Sequence, residues 1–93
     1  MFKITHDKGV HITFENGYTV SIQWGPGNYC ENYDGEISAD GRRECGSKGS
    51  DTAECAVWGP NGKMLQYGDW CDTVGGYMKP AAVLELLNWA ASQ

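Results

Sequence analysis

Apolar and polar residues alternate along residues 9–24, on both sides of an Asn-Gly pair. Alternation with a period of two is typical of a half-buried β-strand, and Asn-Gly is a strong signal for a hairpin. We therefore predict two antiparallel strands joined at Asn16-Gly17. The alternating apolar positions are Val10, Ile12, Phe14, Tyr18, Val20, Ile22 and Trp24.

The register of this hairpin follows from the requirement that its apolar residues share one face. A two-residue loop would set Phe14 opposite Thr19, and the two apolar sets would then face opposite ways. A three-residue loop pairs Phe14 with Tyr18 and keeps both sets together. We therefore predict a type I turn in which Gly17 has a positive φ and forms a G1 bulge.

A second hairpin is predicted around the sequence Gly-Pro-Asn-Gly, between strands at 52–58 and 63–67. Proline suits the first turn position and Gly62 suits the left-handed one, which again gives a type I turn with a G1 bulge. In the register that follows, Cys55 faces Tyr67.

The C-terminal residues have the periodicity of an amphipathic helix that begins at Pro80, where a missing N–H costs nothing. A helix of about 12 residues is marginal alone and must pack on the sheet. Leu84 and Trp89 lie off its apolar stripe and indicate a further apolar contact, for which a subunit interface is one candidate. The stripe consists of Val83, Leu86, Leu87 and Ala90.

These elements predict a single α+β domain over residues 1–93. Its small antiparallel sheet has two hairpins and about four to five strands, and the C-terminal helix covers one face. Candidate short strands at 2–5 and 73–74 lie outside these two hairpins.

Residues 25–51 interrupt the pattern with a long insertion that contains six glycines. A connection of this length is usually functional or flexible. At its start, two glycines around a proline turn the backbone sharply and can direct successive N–H groups at an anion. The alternative is that Gly-Pro-Gly merely ends the strand and that the charges of the insertion are solvated.

The insertion and its surroundings supply candidate ligand-binding residues. Aromatic rings such as Trp24 can stack on a base, and Arg42 and Arg43 can hold phosphates. Asp72 is predicted to flank the same end of the sheet. The predicted ligand-binding residues are Trp24, Gly25, Gly27, Asn28, Tyr29, Cys30, Tyr33, Arg42, Arg43 and Asp72.

Composition narrows the classes of function. A net charge of −5 argues against a nucleic-acid duplex as partner, and no apolar run is long enough to cross a membrane. The first residues lack the features of a signal peptide, so we expect a cytoplasmic protein.

Cys30 has no local base and no nucleophile elbow, and His6 and His11 are predicted on exposed sides of strands. We therefore expect no enzyme and no cofactor.

The four cysteines leave three states open. Cys30, Cys45, Cys55 and Cys71 contain no Cys-x-x-Cys pair. In a cytoplasmic protein they are expected as free thiols, while two disulfides or a metal site remain alternatives.

Two segments together resemble a family of small uncharacterised proteins from tailed bacteriophages and prophages. Residues 14–30 read Phe-Glu-Asn-Gly-Tyr-Thr-Val-Ser-Ile-Gln-Trp-Gly-Pro-Gly-Asn-Tyr-Cys, and residues 72–77 read Asp-Thr-Val-Gly-Gly-Tyr. The family has no established activity, so no residue role carries over. The resemblance implies an accessory protein made inside an infected bacterium, and such proteins often act against host defence.

Two functions from different classes follow. The first is a binding protein that sequesters a small anionic, nucleotide-type ligand, with a homo-oligomer expected because a small fold has little concavity of its own. The alternative is an inhibitor whose acidic surface docks on a host protein.

Overall fold

Five antiparallel strands and one helix make up the part of the chain that the structure describes. The structure is a computed structural model, and it describes residues 1–5, 8–24 and 50–93. The strands form one sheet in the order β1-β2-β3-β4-β5, and the predicted α+β class is confirmed. The elements are β1 Phe2–Ile4, β2 Gly9–Thr13, β3 Thr19–Gln23, β4 Ala53–Trp58, β5 Gly75–Met78 and α1 Pro80–Ala91.

The first hairpin is formed by β2 and β3. Val10 lies opposite Ile22, and Ile12 lies opposite Val20, as a three-residue loop requires. Gly17 has a φ of 87°. The predicted register and the positive φ are therefore both confirmed.

The core lies between α1 and the middle of the sheet. The helix packs on β3 and β4, and Val20, Val57 and Leu86 are completely buried there. Ala90 is buried with them, whereas the other two residues of the predicted apolar stripe are half-buried. Pro80 is the first residue of the helix, so the predicted start and the predicted face of α1 are confirmed.

The turn of the first hairpin also holds the end of the helix. The Asn16 Nδ2 group donates hydrogen bonds to the carbonyl oxygens of Ala90 at 2.8 Å and Gln93 at 3.1 Å. Its Oδ1 atom accepts a hydrogen bond from the Tyr18 N–H at 3.0 Å. The last carbonyls of a helix have no partner within the helix, and Asn16 supplies one from the hairpin turn.

The second hairpin has the predicted turn. Gly62 has a φ of 78°, and its N–H donates a hydrogen bond to the Gly59 carbonyl oxygen at 2.9 Å. After the turn, Met64 forms a single bridge with Trp58.

The strand predicted at 63–67 is wrong beyond that bridge, because the sheet neighbour of β4 is β5. Cys55 lies opposite Gly75 and not opposite Tyr67. The Tyr67 ring instead packs on Trp89 of α1, with the ring centroids 5.2 Å apart. This segment therefore packs on the helix and does not pair in the sheet. The chain returns to the sheet as β5 at residues 75–78, after the predicted 73–74.

The described ranges contain no helix with both the length and the hydropathy to cross a bilayer. Of the predicted insertion at 25–51, the structure describes residues 50 and 51.

Candidate ligand-binding site

A cavity of about 280 Å³ opens where the predicted insertion joins the sheet. The chain leaves β3 at Trp24 and is described again from Ser50, and both residues line this cavity. Because Gln23 lies opposite Glu54, the chain leaves and re-enters the sheet on neighbouring strands. We refer to this hollow as the Trp24 cavity.

The walls of the Trp24 cavity are mostly apolar and come from both layers of the fold. Ile22 and Ala53 line it from the sheet, and Val83, Leu84 and Leu87 line it from α1. Leu84 remains 58% exposed, so a ligand in the cavity would cover apolar surface that the protein itself leaves open. Such a lining is usual for small-molecule sites.

The polar part of the lining is small. Ser50 Oγ donates a hydrogen bond to the Thr52 carbonyl oxygen at 2.6 Å, and Asp51 is exposed. Asp51 is the one charged residue that the described chain contributes to the lining. This part of the cavity therefore fits an uncharged ring, and an anionic group would need cations from elsewhere.

The structure describes two of the ten predicted site residues. Trp24 lines the cavity. Asp72 is exposed and is not part of the lining, and its Oδ1 atom accepts a hydrogen bond from the Thr73 N–H at 2.8 Å. The other eight, which lie outside the described residues, are Gly25, Gly27, Asn28, Tyr29, Cys30, Tyr33, Arg42 and Arg43.

The helix wall of the cavity was absent from the predicted site. Val83 and Leu87 belong to the apolar stripe, which sequence reasoning assigns to the core. The sequence gives one indication that the helix contributes to this site, which is that the apolar residue Leu84 lies off that stripe. In the structure, Leu84 lines the cavity.

His11 lies on the face of the sheet away from α1, since its neighbours Val10 and Ile12 point toward the helix. Its ring packs edge-on against Trp58, with the centroids 5.1 Å apart. Burial, and then the positive charge of Lys3, lower the pKa of His11 below its usual 6.5. The imidazole is therefore neutral at pH 7, and it is not part of the Trp24 cavity.

The two described cysteines are free thiols in different surroundings. Cys55 is buried and Cys71 is exposed. Burial, and then the charge of Glu54, raise the pKa of Cys55 to about 12, so its thiol stays protonated and unreactive at neutral pH. Within residues 1–5, 8–24 and 50–93, no three His, Cys, Asp or Glu side chains are grouped so that they could hold a metal ion.

Comparison of the chain with protein-family models, with curated proteins and with solved structures finds no match.

Proposed function

We propose that this chain is a non-enzymatic binding protein that holds a small ligand in the Trp24 cavity. The observation that carries the proposal is the position of that cavity. It is an apolar hollow between the sheet and the start of α1, and the chain enters and leaves the insertion at its border. The predicted aromatic and basic residues of the insertion are thus part of the segment that begins and ends there.

The ligand chemistry follows from the lining. A base or another planar ring gains contact with Trp24 and with the aliphatic side chains of the cavity. Its anionic group is held by Arg42 and Arg43, whose guanidinium groups suit phosphate. The negative charge of Asp51 favours a pose in which the phosphates point away from that side of the cavity.

The resemblance of residues 14–30 and 72–77 to phage and prophage proteins extends the proposal to a biological role. The protein acts as an accessory factor in the cytoplasm of an infected bacterium, and it sequesters a nucleotide signal of host defence without converting it. A homo-oligomer belongs to the same proposal, because a second subunit would deepen a shallow cavity.

Thermal unfolding against a panel of cyclic and linear nucleotides tests the proposal. A ligand present at a hundred times its dissociation constant stabilises the folded protein by about 2.7 kcal/mol. We expect one class of nucleotide to raise the melting temperature, and the corresponding free base to do so more weakly because it lacks the anionic group.

Two matched variants locate the effect. Leu84→Asp places a carboxylate at an exposed apolar position of the cavity, where it should repel an anionic ligand and abolish the stabilisation. Met64→Asp makes the same change at another exposed apolar residue, 42% exposed, that does not line the cavity, and it should keep the wild-type response. Absence of a shift with every nucleotide, or an equal shift in both variants, would refute the proposal.

One observation favours the alternative, a protein inhibitor. β1 is an edge strand on which Phe2 and Ile4 are each 75% exposed. Met1 and Thr13 form a hydrogen-bonded pair, with backbone hydrogen bonds of 2.7 and 2.8 Å. Hydrogen-bonded and non-hydrogen-bonded pairs alternate along antiparallel strands, so the backbone N–H and C=O groups of Phe2 and Ile4 point to the outer edge of the sheet. A strand of a partner could pair there.

Calorimetry with a candidate host protein separates the two functions. For the inhibitor we expect a complex that weakens with salt because the protein is acidic, and that is lost in Ile4→Lys. The same protein would then show no nucleotide-dependent stabilisation. Nucleotide binding that survives Ile4→Lys would contradict the alternative.

A further inference from the structure

A second cavity, of about 410 Å³, lies between the turn after residue 67, β5 and the start of α1. Met78 is the one described residue that lines both cavities. Three aromatic and three charged residues dominate its lining, and we refer to it as the Trp70 cavity. These residues are Tyr67, Asp69, Trp70, Tyr77, Lys79 and Glu85.

The Trp70 ring is held in place by its contact with backbone. A Cβ atom at Gly75 would lie 2.4 Å from Trp70 Cε2, so the indole packs directly on a residue that has no side chain. The Tyr67 ring meets Trp70 nearly edge-on, with the centroids 5.6 Å apart. The Trp70 carbonyl oxygen accepts a hydrogen bond from the Gln66 side chain. Two aromatic rings of the cavity are therefore fixed before any ligand arrives.

Tyr77 is strained in a way that core packing does not explain. Its φ is 53°, and it is the one residue other than glycine with a positive φ in the described part of the chain. The Tyr77 side chain is 52% exposed, so this conformation does not serve to bury it. Strained residues of this kind concentrate at ligand sites, where the surroundings hold a side chain in a working position.

We propose that the Trp70 cavity binds an organic cation with a quaternary ammonium group. Tyr67, Trp70 and Tyr77 line the cavity, and the face of an aromatic ring carries the negative part of its quadrupole, which attracts a weakly hydrated cation. Asp69 and Glu85 add two carboxylates. The site is separate from the nucleotide site proposed above and does not depend on it.

The ammonium group of Lys79 repels a bound cation, so Lys79 reduces the net negative charge of the lining. The lining contains two carboxylates and one ammonium group, so a cation is still favoured over an anion. Removing the lysine charge should therefore strengthen binding, which distinguishes a cation site from a phosphate site, where the same change would weaken it.

Choline and its neutral isostere 3,3-dimethyl-1-butanol test the proposal directly. The two molecules have nearly the same shape, and only choline carries the charge. We expect titration calorimetry to show at least tenfold tighter binding of choline, and the Trp70 indole N–H signal to move in the nuclear magnetic resonance spectrum.

Tyr77→Gly separates binding from stability. Glycine adopts a φ of 53° without strain, so the variant should melt no lower than the wild type while it binds choline about two- to thirtyfold more weakly. A structural role alone for Tyr77 would instead lower the melting temperature and leave choline affinity unchanged.

Asp69→Asn and Asp72→Asn form a matched pair, because each removes one exposed carboxylate and only Asp69 lines the cavity. Choline affinity should fall in Asp69→Asn, remain in Asp72→Asn and rise in Lys79→Met. Equal affinity for choline and its isostere, no binding of choline at millimolar concentration, or equal affinities in the two Asp variants would overturn the proposal.

Discussion

Asn16 shows how one side chain can serve the turn and the helix together. Its Oδ1 atom accepts the Tyr18 N–H, which stabilises the hairpin loop. Its Nδ2 group donates to the carbonyl oxygen of Ala90 in the last turn of α1 and to that of Gln93 just beyond it, which joins the helix to the hairpin. Asn61 makes the same turn contact, with its Oδ1 atom accepting the Lys63 N–H at 3.0 Å, and within the described residues its amide donates no hydrogen bond to the end of a helix.

Asn16→Asp should therefore destabilise the protein more than Asn61→Asp. Both variants keep the acceptor atom of the turn, but Asn16→Asp also removes the donor to the helix and adds a negative charge at the negative end of the helix dipole. We expect a difference of about 1–2 kcal/mol in the free energy of unfolding in urea. Equal losses in the two variants would show that Asn16 does not hold the helix.

Cys55 predicts a pH dependence at alkaline pH. The pKa of its thiol is near 9.0 in the unfolded chain and near 12 in the folded one, so the folded state retains a proton that the unfolded state loses. This stabilisation is complete below pH 9 and is lost as pH rises toward 12.

The difference in unfolding free energy between wild type and Cys55→Ala should accordingly fall by about 2 kcal/mol from pH 8 to pH 10.5. The comparison cancels the titration of tyrosines and lysines, which both proteins share. A difference that stays constant over this range would mean that Cys55 is not protected from water.

The two hairpin turns have the same chemistry but different surroundings. Gly17 and Gly62 have φ values of 87° and 78°. A Cβ atom at Gly17 would lie 3.0 Å from Pro60, whereas one at Gly62 meets nothing within 4 Å. The first turn is thus packed against the second, and only the second has room for a side chain.

Gly62→Ala should cost about 1 kcal/mol, which is the usual penalty for a positive φ. Gly17→Ala should cost more, because Pro60 must also move. Urea unfolding of both variants measures the difference, and a larger loss in Gly62→Ala would contradict the packing of the two turns.

Local patterns predicted the elements whose structure is local. The first hairpin, the Gly62 turn and the stripe of α1 are set by periodicity and by turn residues, and all three are confirmed. β5 was missed because Gly-Gly-Tyr-Met has neither alternation nor β-branched residues. Tyr67 was misassigned because its partner, Trp89, is distant in the chain and no short window contains both residues.

At the scale of the whole molecule, the candidate site could be predicted only in part. Trp24 is among the predicted residues because it ends a clear strand and precedes an unusual glycine-rich stretch, and in the structure it lines the cavity. Its partners across the cavity, such as Val83 and Leu87, are on a helix that looks like ordinary core, and only the packing of helix on sheet brings them to Trp24. A cavity between layers is a tertiary feature and leaves no local sequence signal.

The most direct test of the binding function is the indole N–H signal of Trp24 during a titration with the nucleotide that stabilises the protein most. We expect the Trp24 signal to move with saturation, the Trp70 signal to stay in place, and Leu84→Asp to abolish the movement. A Trp24 signal that does not move at saturating nucleotide would contradict the binding function.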